Sequence, residues 1–139
     1  MEENSLYDDS NLQILIEYPD LSLVVGWYKS TYILATIINA IKVGKKIISM
    51  YNGTDIEQLA TDAIEPFKFN DTHFRSREIF QESIMKSYFY FVDISELAKY
   101  NNDSTLEDMT TEAKNYLDKA YESLKEYPPS PFLFIDKDW

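Results

Sequence analysis

The chain has no cysteine, only three glycines and a single histidine, and its 13 basic residues are outnumbered by 24 acidic ones. Without cysteine, a disulfide framework and thiolate-held zinc are both excluded. Gly26, Gly44 and Gly53 stand far apart and lack the neighbours of a phosphate-cradling loop, so nucleotide binding by that route has no support. HExxH, a serine elbow and EF-hand spacing are missing as well. The formal charge of -11 opposes contact with phosphate backbones and anionic lipid heads, so neither direct nucleic-acid binding nor membrane association is expected. Long hydrophobic runs are also lacking. The most apolar stretch, Leu21 to Met50, is interrupted by Lys29, Lys42, Lys45 and Lys46, and its longest charge-free part falls short of the ~20 residues that span a bilayer. Met1-Glu2-Glu3-Asn4 puts acids where a secretory leader carries bases, which points to a cytoplasmic protein.

What is present is apolar and aromatic surface. Of 139 residues, 45% are hydrophobic, with eleven Tyr, eight Phe and two Trp. A chain of this size removes about two thirds of its unfolded surface from water, enough to offset chain entropy without a staple. Neither a repeat nor a low-complexity linker divides the sequence, so one domain over residues 1–139 is expected.

Periodicity predicts a mainly α fold, a bundle of four or five helices. Residues 1–11 read as a polar, acidic N-terminus with little to bury. From Leu12 to Trp27 two readings stand. Leu12, Ile14, Ile16 and Tyr18 alternate, as do Leu21, Leu23, Val25 and Trp27, which suits a small N-terminal β-hairpin; Leu15 and Val24 spoil the polar face, and Pro19 can open a helix. Between Ser30 and Tyr51, Ile33, Leu34, Ile37, Ile38, Ile41 and Ile48 recur every three or four residues, with Asn52-Gly53 as the stop. Asp55 opens a short helix that turns Ile56, Leu59, Ala60, Ala63 and Ile64 inward until Pro66. After the capping candidates Asn70, Asp71 and Thr72, a helix runs from Phe74 through Phe80, Ile84, Tyr88 and Phe91 to Leu97, ending before Asn101-Asn102. Tyr88 to Val92 is aromatic all round, which implies burial on most sides or contact with another protein. The last helix, with Ser104 and Thr105 as cap candidates, carries Leu106, Met109, Ala113, Leu117, Ala120 and Leu124 and is ended by Pro128-Pro129. Phe132 to Ile135 is too apolar to dangle, so residues 128–139 are expected to dock as a C-terminal extended segment.

Few residues suggest chemistry. His73 stands between Asp71 and two arginines, yet a lone histidine at a helix start more often caps or faces solvent than it catalyses. Glu78 with Glu82, and Asp93 with Glu96, have the spacing that puts carboxylates on one helix face, as in metal-holding bundles. Acidic helices produce that spacing by chance, and the Glu-x-x-His pairing is missing. No catalytic residue, metal ligand or cofactor is assigned.

Charge is distributed unevenly: residues 1–27 hold six acids and no base, 28–53 four lysines and no acid, and 54–71 five acids and one lysine. Asp55, Gln58, Asp62 and Glu65 form a stripe opposite the apolar face of their helix, which could meet a basic surface, although a solvated face accounts for the same residues. Tyr7, Tyr18, Tyr90, Tyr100, Tyr121 and Trp139 fall off or at the margin of the apolar faces. Acids steer encounter and aromatics slow dissociation, a combination suited to covering a basic enzyme. Asp55, Gln58, Asp62, Glu65, Tyr90, Tyr100 and Tyr121 are therefore the partner-binding candidates. The expected function is that of a protein-binding inhibitor, an immunity protein or antitoxin of bacterial or phage type that neutralises a basic, nuclease-like toxin as a monomer or homodimer. A carboxylate-metal helical enzyme and a helical oligomeric adaptor are the alternatives.

Overall fold

The computed structural model describes residues 8–28, 30–68 and 77–126. Six α-helices run through them: α1 Asp9–Glu17, α2 Ser22–Tyr28, α3 Thr31–Met50, α4 Asp55–Ile64, α5 Arg77–Tyr100 and α6 Ser104–Lys125. Short 3-10 turns, Pro19–Leu21 and Glu65–Phe67, follow α1 and α4. Among the described residues there is no strand.

The hairpin reading of residues 12–27 is corrected: the segment is α1, a turn and α2, and these two short helices bring the number above four or five. The alternation misled because only part of it is buried. Ile14, Tyr18, Leu21 and Val24 face inward at three- and four-residue spacing, while Leu12 and Ile16 are exposed, Ile16 to 70%. Tyr18, taken as a margin residue, is buried. Helix α1 also starts earlier than expected, within the segment read as a polar N-terminus. The Asp8 side chain accepts from the Asn11 N–H at 2.9 Å as its N-cap, and Asn11 itself is buried. Pro19 occupies the first turn of the 3-10 helix, where a missing N–H costs nothing.

Helices α3 to α6 form a ring in which each packs on its sequence neighbours and α6 closes back on α3. The short connections 51–54 and 101–103 make α3–α4 and α5–α6 antiparallel pairs, and the Tyr51–Asp103 contact sets the end of α3 beside the start of α6, with α1 and α2 laid against α3. The core is centred on α3, where Ile33, Leu34, Ile37, Ile38, Ile41 and Ile47 are all but fully buried. Each such side chain contributes about 1.5–3 kcal/mol, as an upper figure. Gly44 lets α3 approach the end of α4. A Cβ there would overlap the Ile64 Cγ2 and come within 3.6 Å of the Phe91 ring.

Local chemistry ends α3 and α5 and starts α4 and α6. Gly53, at φ 85°, sits in the left-handed region after α3, and its N–H donates to the Glu57 carboxylate at 2.7 Å. Thr54 caps α4 through its hydroxyl, which accepts from Ile56 N–H at 3.2 Å. Helix α5 ends at Tyr100, before Asn101, as the sequence indicates. Asn102 takes φ 58°, Asp103 N–H reaches back to Ala98 C=O at 2.8 Å and Asn102 N–H to Lys99 C=O at 3.2 Å, the paired bonds of a Schellman stop. Asp103, rather than Ser104 or Thr105, then caps α6, accepting from Leu106 N–H at 3.1 Å. The capping candidates Asn70 to Thr72, the start of the helix at Phe74, and the tail 128–139 lie outside the described residues.

This packing brings two of the charge segments together. Acids of the N-terminal segment lie against the lysines of α3: Lys45 pairs with Glu17 at 2.5 Å, and Lys42 acts on the Asp8 carboxylate. Lys68 sits over the Tyr18 ring at 5.4 Å.

Candidate functional site

The sequence-derived partner residues divide into three places. Asp55 and Gln58 are exposed on the outer side of α4 and Glu65 is exposed in the 3-10 turn that follows it, with Asp62 partly covered; the Gln58 side-chain amide donates to Asp62 at 3.0 Å. At the seam with α5, Asp62 and Glu65 meet Tyr90 in a shallow hollow that Lys68 and Lys86 also line. Tyr121 is on the other side of α5. Tyr100 is 85% exposed at the far end of that helix, ten residues beyond Tyr90 and hence about 15 Å away, so it does not join them. Tyr7, Trp139 and His73 lie outside the described residues.

Tyr121 marks the feature that the sequence reading missed. Between α5 and α6 runs an apolar groove of two adjoining hollows, about 250 Å³ and 350 Å³, which share Met85, Phe89 and Tyr121. Its floor is Ile84 and Leu117, both buried, with Tyr88 half-buried at the side. Phe89 is 57% exposed and Met85 42%, both on α5, whose Phe80, Ile84, Phe91 and Ile94 are buried. Their spacing of four puts them on one ridge of α5, off the buried Phe80, Ile84 and Phe91 face, and that offset was the available signal. Tyr88 packs edge-on against Phe89, ring centroids 5.8 Å apart.

Carboxylates ring this groove. Glu78 and Glu82 stand at the α5 side, Asp118 and Glu122 at the α6 side, against a single lining lysine, Lys86. Glu122 is met by Lys125 at 3.2 Å and Glu78 by Arg77 at 3.4 Å, whereas Glu82 and Asp118 have no ion pair among the described residues. Lys125 also lies over the Tyr121 ring at 5.1 Å. Lys86 lines the α4–α5 hollow too, so the two depressions flank one ridge of α5 and form a continuous acidic and aromatic face.

The carboxylates weighed as a metal set do not gather. Glu78, Glu82, Asp93 and Glu96 are all exposed along the outer side of α5, and among the described residues no three acidic or histidine side chains converge to hold an ion. A short polar contact between distant helices lies elsewhere. The Tyr51 hydroxyl donates to Asp103 Oδ2 at 2.6 Å, tying the end of α3 to the start of α6. Burial, then the Asp103 carboxylate, push the Tyr51 hydroxyl up to about 12, so it stays a neutral donor. The Tyr51 hydroxyl, then the Leu106 N–H, hold the Asp103 carboxyl below its usual range. This pair is a clamp between helices, remote from any hollow described above.

None of the helices is long and apolar enough to cross a membrane among the described residues. Comparison with protein-family models, with curated proteins and with solved structures gives no significant match, so the α5 face stands as the candidate site on its geometry alone.

Proposed function

We propose that this protein is a stoichiometric binding protein that holds a basic protein against the face centred on α5, as an immunity protein or antitoxin covers the working surface of a nuclease-like toxin. On this reading it acts in the cytoplasm of a bacterium or a phage-infected cell. The observation that carries it is the exposure of Met85 and Phe89 side by side in an apolar groove ringed by Glu78, Glu82, Asp118 and Glu122. Large apolar side chains at the centre of an acidic rim have the layout of an interface, where buried aromatics supply most of the affinity and charge sets the encounter rate. The acids of α4 extend the same sign across the neighbouring hollow.

Affinity capture from the source cells at low and high salt, with the wild-type chain and with Phe89→Ala, tests the reading. One basic protein should be retained at one-to-one stoichiometry, less of it as salt rises, and little by the variant. Retention that ignores both salt and Phe89, or capture of acidic proteins only, would refute the proposal.

A further inference from the structure

The α5–α6 groove restricts the shape of what can fill it. Both walls are α-helices, whose backbone N–H and C=O groups are engaged within their own helices except in the terminal turns. An extended peptide laid there would bring unpaired main-chain groups against Ile84, Met85 and Leu117, at a cost of desolvation with no ladder to repay it. A helix carries its own hydrogen bonds and presents only side chains. The groove follows α5 from Glu78 to Phe89, a rise of about 16 Å or three helical turns. Met85, unbranched and adaptable, suits the packing of a helix face.

Charge restricts its sign. Of the four rim carboxylates, Glu78 is met by Arg77 and Glu122 by Lys125, while Glu82 and Asp118, on opposite walls, have no ion pair among the described residues and face one further lining cation, Lys86. A second copy docked face to face would set these acids against each other. We infer that the groove seats a basic amphipathic helix, its apolar residues at i, i+4 and i+7 against Met85, Phe89 and Tyr121 and its Lys or Arg flanks beside Glu82 and Asp118. The inference rests on the proposed function and adds the form of the contact.

Fluorescence anisotropy with the full chain and three labelled peptides of about 18 residues, long enough to hold helix, tests this. The first has leucines at the stated spacing, lysines only at the positions flanking them and alanine elsewhere; the second replaces lysine with glutamate; the third interrupts the first with a central proline. The lysine helix should bind saturably and about tenfold or more tighter than the other two. Phe89→Ala and the pair Glu82→Lys with Asp118→Lys should each weaken it by about tenfold with unchanged thermal melts. No saturable binding, equal binding of the proline peptide, or indifference to Phe89→Ala would overturn the inference. So would displacement of the lysine helix by a peptide of residues 127–139, or a Phe89-dependent dimer in sedimentation, because either assigns the groove another occupant. If a basic protein is captured in a Phe89-dependent way while no helical peptide binds, the proposed function stands and the helix inference alone falls.

Discussion

Replacing Asp103 should cost more than its partly exposed position suggests, because one carboxylate serves two elements. Oδ1 caps α6 by accepting from Leu106 N–H at 3.1 Å, and Oδ2 accepts from the Tyr51 hydroxyl at 2.6 Å, 52 residues away in sequence. Loss of an N-cap costs about 1 kcal/mol. A hydrogen bond to a charged group contributes about 1.5–3 kcal/mol, and the lower end applies here because the pair is only part-buried. Asp103→Ala should therefore destabilise by about 2–3 kcal/mol, which for 139 residues corresponds to roughly 7–10 °C in melting temperature. Tyr51→Phe should lose the second contribution alone, and the double variant should cost less than the sum. The pH dependence has a definite sign. A carboxyl held below its ordinary value stabilises above the unfolded pKa, about 3.9, and that contribution is lost as pH falls through the folded value. Urea melts of wild type and Asp103→Asn should show a constant gap between pH 7 and pH 5 that closes below about pH 4. A gap that does not narrow as pH falls below about 4, or an Asp103→Ala cost under about 0.5 kcal/mol, would refute the assignment of this pair as the clamp between α3 and α6.

Gly44→Ala tests the close approach of α3 to α4. Mid-helix, that change ordinarily gains about 0.5–1 kcal/mol. Here the new methyl meets the Ile64 Cγ2, on a stiff β-branched side chain, and a net loss of about 1–2 kcal/mol is expected, with partial rescue in the Ile64→Ala background by chemical denaturation. Leu117→Ala, at a site with no exposure beneath the groove, should cost about 2–5 kcal/mol in the same assay. Phe89→Ala should leave the melting temperature within about 2 °C of wild type, since the ring is more than half exposed, and a large loss would show that it belongs to the core. Reversing Asp55, Asp62 and Glu65 to Lys should slow association with a basic partner and flatten its salt dependence, as read by stopped flow, with little effect on dissociation.

The main-chain plan was largely legible before folding. The three-four recurrence of Ile33 through Ile41 and of Leu106 through Leu124 identifies the long helices because a helix face depends only on residues within a few turns of each other. Where two local patterns compete, that rule gives no answer: Leu12 to Tyr18 fits a strand by alternation and a helix by the spacing of Asn11, Ile14 and Tyr18, and packing against α3 selected the helix. The candidate site is the reverse case. The acidic stripe of α4 follows from one helix and is seen in the sequence, but its neighbour Tyr90 comes from α5. The groove pairs Met85 and Phe89 with Tyr121, more than thirty residues on, and such adjacency depends on which sides α5 and α6 turn toward each other.

Composition and period alone thus determined a cysteine-free, acidic, helical chain and most of its helix boundaries, since these depend on residue chemistry and short-range spacing. Tertiary packing decided which aromatics stay outside, why lysine-rich and acid-rich segments lie together, and that Asp103 joins the ends of three helices, because each requires chain segments far apart in sequence to meet.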